Sequence, residues 1–286
     1  SRADSRSSHW LPALLLRQDL LGPQTQLRAA LTNSVLRPSY AQLSPGRVVD
    51  GDSVQQGNPL LKPLRSRNLD LGVEHALGRG GRDGALSAYV FHKNIQDFVF
   101  QTDLAGSPGW TGFSKVLSFA NGERATVRGL ELAYSQLLRE LPAPFNGLVL
   151  GANASFVDSK ARIGGYRGGQ WTSREISLPS QSDRTLNLSL GWEGQGLSTR
   201  LALNHKSPYL LEVGDVFDGA RDLKVDSQNQ LDFSLRYQLN PRLELSFEAL
   251  NLANARYYVY QADKARNAQY EQYGRSYKFG LKAMVF

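Results

Sequence analysis

The sequence predicts an all-β fold, an antiparallel sheet of about eleven strands suited to a transmembrane β-barrel, and three observations point there. Apolar and polar residues alternate with period two, connections alternate between short and long, and the polar faces carry many charges.

Strands are expected near residues 10–18 and 25–36, joined by a short turn near 19–24. After a long connection over 37–65, Leu69, Leu71 and Val73 share one face, and Asn68, Asp70, Gly72 and Glu74 the other. A turn at 78–83 leads into a strand over 84–101. A long connection over 102–121 then precedes Leu130, Leu132 and Tyr134, set against Glu131 and Ala133. Residues 138–145 turn the chain into a strand over 146–159, and 160–181 is again long. Leu186, Leu188, Leu190 and Trp192 oppose Asn187, Ser189 and Gly191. Gly194-Gln195 turns the chain, and Leu197, Leu201 and Leu203 then oppose Ser198, Arg200, Ala202 and Asn204. The long stretch 209–227 precedes the clearest pair. Leu231, Phe233, Leu235, Tyr237 and Leu239 face away from Gln230, Asp232, Ser234, Arg236 and Gln238. After a tight Asn240-Pro241 turn, Leu243, Leu245, Phe247 and Ala249 face away from Glu244, Ser246 and Glu248. A last long connection, 253–272, opens on a strand over 273–286. A helix would smear each of these sets around its circumference.

Short turns at one end and long loops at the other describe an outer-membrane barrel with periplasmic turns and extracellular loops. The polar faces hold Arg28, Asp70, Glu74, Glu131, Arg200, Asp232, Arg236, Glu244 and Glu248. These charges are costly in a dry core unless each is paired, and cheap against a wet or plugged lumen. The apolar faces would then meet lipid, and closure would satisfy every backbone group. Alternation alone equally describes a soluble sheet with one wet face; the loop asymmetry favours the membrane. Leu14, Leu15 and Leu16 make one of the longer apolar runs, far short of the about 20 residues of a spanning helix.

The absence of cysteine excludes disulfide scaffolds, thiolate zinc sites and cysteine nucleophiles. The net charge of +7 invites a nucleic-acid reading. Yet Arg79, Arg82, Arg124, Arg139, Arg184, Arg221 and Arg242 lie scattered at strand ends, as solvated charge does, and in a membrane protein they would face anionic headgroups. His9, His75, His92 and His205 lack metal-ligand spacing. The run Gly78 to Gly84 has no Lys-Ser or Lys-Thr and reads as a turn, and no G-x-S-x-G elbow occurs. No cofactor, metal or catalytic residue is expected. Ser1 to Arg6 contain neither methionine nor an apolar core, so they are not a signal peptide, and the chain is expected to be cut from something longer. The long loops hold Trp110, Phe113, Tyr166, Trp171, Tyr209, Phe217, Tyr257, Tyr258 and Tyr260. Such rings stack on sugars or planar chelates, or line a membrane interface.

Arg37-Pro38-Ser39-Tyr40, then Gly57-Asn58-Pro59-Leu60-Leu61-Lys62-Pro63, then Ser66 to Glu74 with Asn68, Asp70, Gly72 and Glu74, follow the order and spacing of a known signature. From about Leu11 onward the chain resembles the barrels of TonB-dependent receptors. Gly129 to Leu132, Asn251 to Asn254, and Tyr273-Gly274-Arg275-Ser276-Tyr277 before a strand ending in Phe286 extend the resemblance. It implies the last eleven strands of a barrel of about 22, so that residues 1–286 form the C-terminal part of the barrel domain. The plug domain and its TonB-contacting box would be absent. It further implies an outer-membrane transporter of a scarce nutrient, glycan or ferric siderophore, driven by the TonB complex through that plug. The segment from Gly57 to Glu74 looks most like the branch associated with glycan import. Outer-membrane lipids would surround the chain, and the insertion machinery would read Phe286. One detail departs from the pattern: Tyr277, Phe279, Leu281, Ala283 and Val285 share a face, leaving Phe286 with Lys278 and Lys282, which calls for a bulge or a place at the rim. Two other classes stay open, an adhesive β-protein without transport and an outer-membrane hydrolase assembled across strands.

Overall fold

The computed structural model describes residues 8–20, 22–167 and 170–284, leaving aside the side chains of positions 166 and 167. Phe286 and the Tyr166 side chain therefore lie outside the described residues. Eleven strands form one antiparallel meander: β1 (Ala13–Leu20), β2 (Thr25–Leu36), β3 (Leu64–Leu77), β4 (Gly84–Gln96), β5 (Arg124–Leu137), β6 (Leu148–Arg167), β7 (Arg184–Gly194), β8 (Leu197–Lys206), β9 (Gln228–Asn240), β10 (Leu243–Leu250) and β11 (Ser276–Ala283). The sheet is open, with β1 and β11 as its edges. Among the described residues no helix is long and apolar enough to cross a membrane, which says nothing about strands.

The register places apolar beside apolar from one edge to the other. Leu31 pairs with Leu69, Leu71 with Val90, Val90 with Leu130, Leu130 with Phe156, Leu188 with Leu203, Leu201 with Phe233, Leu235 with Phe247 and Phe247 with Phe279. The other face runs through Arg28, Gly72, Tyr89, Glu131, Ser189, Ala202 and Asp232. A one-residue slip in any pair would exchange the two faces, so the pattern holds the register. The apolar stripe is exposed, Leu190 by 50% and Leu201 by 41%. On β9 it runs from Leu231 to Leu239, about 27 Å along the strand.

Higher up, toward the long connections, the pattern inverts. On β5, Leu130, Leu132 and Tyr134 point to the open face, yet above them Arg124 and Arg128 occupy that face while Ala125 and Val127 are buried on the opposite one. On β6, Ala161 and Ile163 are likewise buried, and Lys160 and Arg162 stay exposed. The cause is what lies across the sheet. The long connections fold over the polar face and bring Phe98, Phe100, Leu210 and Val213 onto Ile95, Val127 and Ile163. Among the described residues the polar face has no such cover elsewhere along the strands and stays hydrophilic.

Several expected boundaries need correction. The strand placed over 84–101 breaks at Asp97, which takes φ 56°; Val99–Asp103 belongs to a separate sheet. The connections at 37–65 and 102–121 are not plain loops. Arg47–Asp50, Ser53–Gln56, Lys115–Asn121 and Val99–Asp103 form a four-stranded sheet in that order, with Ser53–Gln56 and Lys115–Asn121 parallel. The stretch 160–181 is no loop either: β6 runs on to Arg167 and Gln170–Ile176 returns alongside it. Tyr209–Glu212, Leu223–Val225, Tyr257–Gln261 and Asn267–Glu271 make a second four-stranded sheet, and a Thr102–Val213 bridge links the two. The turn between β7 and β8 is Gln195-Gly196, at φ 48° and 79°, not Gly194-Gln195, because a two-residue hairpin that follows the strand twist needs both central residues left-handed.

Candidate ligand-binding site

The signature residues build the base of the loop assembly. Pro38 leads into a one-turn helix, Tyr40–Leu43, capped by Ser39 and Gln42 in a reciprocal box. Gly57 packs so close to this helix that a Cβ would lie 2.6–2.7 Å from the carbonyl oxygens of Ala41, Gln42 and Ser44, so no other residue fits without displacing backbone. The Asn58 amide N donates to Gln42 O at 2.6 Å and its Nδ2 to Phe119 O at 3.0 Å. Asn121 brackets Lys62, accepting from its N–H at 2.8 Å and donating to its carbonyl at 3.0 Å. Asn58-Pro59 turns the chain, Leu61 N–H donating to Asn58 O at 3.3 Å, and Pro63 leads the segment that follows into β3. One loop is thereby clamped to the next before either reaches outward.

On the polar face Asn68 Nδ2 donates to Thr32 and Ser34, and Asp70 sits between Ala30 and Phe91. Arg28 pairs with Glu74 at 2.9 Å, and the Tyr89 hydroxyl donates to Glu74. The Tyr89 ring lies flat over Gly72, where any side chain would overlap it. At the far end Asn251, at φ 55°, donates from Nδ2 to Gly274 O at 2.8 Å and accepts from Ala255 N at 2.7 Å, closing the neck of the last long connection. Gly274 sits at φ 79°.

The aromatic candidates all lie at this end of the sheet, in separate groups. Trp110 and Phe113 pack at 6.1 Å with Arg47 4.6 Å from the Trp110 ring. Lys206 Nζ lies 4.1 Å from the Tyr209 ring. Burial, with Tyr209 and Glu271 beside it, holds the Tyr257 phenol above its ordinary range. Tyr258 stacks on Tyr260 at 6.2 Å and meets Tyr270 edge-on; Tyr260 is buried. Trp171 stands apart, on the face shared with Arg162, its Nε1 donating to Glu123 at 3.0 Å. Backbone register places Tyr166 opposite Trp171. Tyr270 belongs to the same aromatic-dense connection as Tyr257, Tyr258 and Tyr260, whereas no local sequence pattern marks Arg47 and Lys206 as ring partners.

The ties between loops carry no linear signal either. Arg174, on the returning strand, makes a bidentate pair with Asp222 and donates to the Val216 and Asp215 carbonyls at 3.0 and 2.7 Å. At the junction of the two loop sheets Gln101 Nε2 donates to Glu212 at 3.3 Å. Burial raises the Glu212 carboxyl above its ordinary value, with Asp103 adding and Lys115 opposing. Among the described residues no His, Asp or Glu cluster has metal-holding geometry. The run Gly78 to Gly84 is a turn, with Asp83 accepting from Arg79 N and pairing with Arg139.

Ring pairs and ring–cation contacts, in separate groups on loops tied to one another, thus place flat aromatic faces beside charge at this end of the sheet. Comparison with known proteins agrees with this architecture. The family described as "TonB dependent receptor-like, beta-barrel" matches residues 1–252. No curated protein matches the chain. Among solved structures, a ferric enterobactin receptor (PfeA) mutant from Pseudomonas aeruginosa superposes with a TM-score of 0.63 at 20% identity, over 96% of this chain and 40% of that one. The siderophore receptor PirA from Acinetobacter baumannii gives 0.62 at 16%, over 96% and 41%. The copper transporter OprC gives 0.63 at 19%, over 93% and 38%. The chain thus spans about two fifths of the length of these structures, and at such identities the likeness is one of fold.

Proposed function

The chain belongs to the TonB-dependent receptor-like β-barrel family, and from that premise we propose that it forms the C-terminal, loop-bearing part of an outer-membrane receptor that captures a scarce nutrient for uptake into the periplasm. The observation that carries this reading is the pairing of two features on one sheet: an unbroken exposed apolar stripe across eleven strands, and an aromatic loop assembly folded over the opposite, polar face. Lipid would cover the first. Solute would meet the second. With a strand tilt of about 40°, the stripe on β9 stands about 20 Å tall, comparable with the about 25 Å apolar band of outer-membrane barrels. The chain would supply the last eleven strands of a closed barrel, and energy from the TonB complex would act through a plug domain to release solute inward.

The solute class proposed is a planar or ring-rich polar molecule, a glycan or a ferric siderophore, gripped by Trp110, Phe113, Tyr209, Tyr257 and Tyr258. No bond chemistry is assigned to any residue. Deleting the full-length gene and following uptake of radiolabelled oligosaccharides and radiolabelled ferric siderophores tests the reading. One class should fail to enter; undiminished uptake of both would overturn transport.

A further inference from the structure

We propose that the cations above the apolar stripe, centred on Arg124, Arg128, Lys160 and Arg162, form a docking site for the phosphorylated headgroup of an outer-leaflet lipid whose acyl chains lie on the stripe below. The inference rests on the outer-membrane reading and adds a defined lipid site to it.

The four side chains come from two neighbouring strands and share the open face of the sheet with Leu130 and Phe156. Arg128 is the next open-face residue above Leu130, about 7 Å along the strand. A lipid with its chains on the leucines therefore brings its headgroup to the guanidinium. On the opposite face at this height Ala125, Val127, Ala161 and Ile163 are buried beneath the loops, so the cations have no route inward and project outward. Their side chains remain half or more exposed where they pair: Arg128 with Asp158 at 2.8 Å, Lys160 with Glu175 at 3.7 Å, Arg162 with Glu123 at 3.7 Å. Arg124 has no ion-pair partner among the described residues. Register extends the row to Arg67 and Arg65 on β3, at the level of Thr126 and Arg124. Arg65 pairs with Asp97. The six cations thus meet four carboxylates, leaving positive charge where the stripe ends toward the loops.

Two observations set a lipid apart from a soluble polyanion. The cations line grooves and share their face of the sheet with the stripe. Trp171, 52% exposed beside Arg162, supplies the amphipathic ring that settles at headgroup level. Arginine adds forked donors that match phosphate oxygens.

The test uses the full-length receptor extracted from outer membranes into detergent, titrated with fluorescent bis-phosphorylated lipid A and with its dephosphorylated form. Wild type should bind the phosphorylated lipid and largely ignore the other. Arg124→Gln with Lys160→Gln should weaken binding about thirtyfold, each cation near an anionic surface being worth about fivefold. Lys93→Gln, at the same height on the covered face, should change nothing. Equal binding of both lipids by wild type, unchanged binding by the double variant, or an equal loss in Lys93→Gln would overturn the site. Displacement by inorganic phosphate at matched concentration would show a free-anion site instead, and also overturn it. Fractionation separates the two levels: receptor in outer membranes without lipid selectivity sinks only this inference, whereas receptor missing from outer membranes sinks the reading beneath it.

Discussion

Arg174 and Asp222 meet through two parallel hydrogen bonds, Nη1 to Oδ2 at 2.9 Å and Nη2 to Oδ1 at 2.7 Å, although 48 residues separate them. Side-chain exposures of 19% and 7% leave Asp222 little water to fall back on if the guanidinium is removed. Breaking a buried pair from one side typically costs about 3–5 kcal/mol. Arg174→Ala should therefore speed hydrogen exchange in residues 214–223 by about a hundredfold or more, while amides in β7 to β9 keep their protection. Unchanged exchange in that segment would show that the pair holds nothing.

The apolar stripe offers a test independent of any likeness to other proteins. Leu201→Arg or Phe233→Arg, near the middle of the stripe, should cost about 2–4 kcal/mol of barrel stability, whereas Ser189→Arg or Ser234→Arg should be tolerated. The chain has no cysteine, so single cysteines report cleanly. Cysteine at 201 and 233 should react with lipid-soluble maleimides only, and at 189 and 232 with water-soluble ones. Equal labelling of both sets from water would replace the membrane barrel by a soluble sheet.

Gly72 and Tyr89 face each other across β3 and β4. Because a Cβ at position 72 overlaps the Tyr89 ring, Gly72→Ala should push that ring off Glu74 and destabilise the sheet by about 1–3 kcal/mol in denaturant titrations. Adding Tyr89→Ala should remove most of the overlap. Additive losses in the double variant would rule out this contact as the reason for the glycine.

Glu212 makes the loop junction sensitive to acid in a direction opposite to that of most carboxylates. Its pKa is raised by burial above the ordinary 4.5, so the folded junction holds the proton more tightly than the unfolded chain. Stability then falls as pH rises from 4.5 through the raised value, and returns on acidification through the same window. Exchange of residues 209–213 should slow as pH is lowered across that window, after correction for intrinsic rates. Glu212→Gln should abolish the change; the same response in the variant would assign it to another group.

Period-two alternation is a local property, and it is enough to order the eleven strands, to assign their two faces below the loops and to place the short turns to within a residue, the last of them falling at Pro241-Arg242 and not Asn240-Pro241. Thr25–Leu36 was predicted to the residue, and Leu188, Leu201 and Phe233 share a face as the alternation requires. The signature residues were visible as well, although their reasons were not. Gly57 is held by carbonyls in and just after the short helix, thirteen to sixteen positions upstream, and Gly72 by a ring on the next strand, neither of which a linear pattern displays.

What only the tertiary structure decided depends on contacts between segments far apart in sequence. The parallel pairing of Ser53–Gln56 with Lys115–Asn121, the Arg174–Asp222 tie and the Thr102–Val213 bridge turn apparent loops into sheets. Those sheets also invert the faces at the top of β5 and β6, where Ala125 and Ile163 are buried inward and Arg124 and Arg162 turn outward. Read along the chain, these arginines look like isolated strand-end charges. Register across two strands gathers them into one row, because in a sheet the neighbours that set a side chain's environment lie about 5 Å away on the adjacent strands, however distant in sequence.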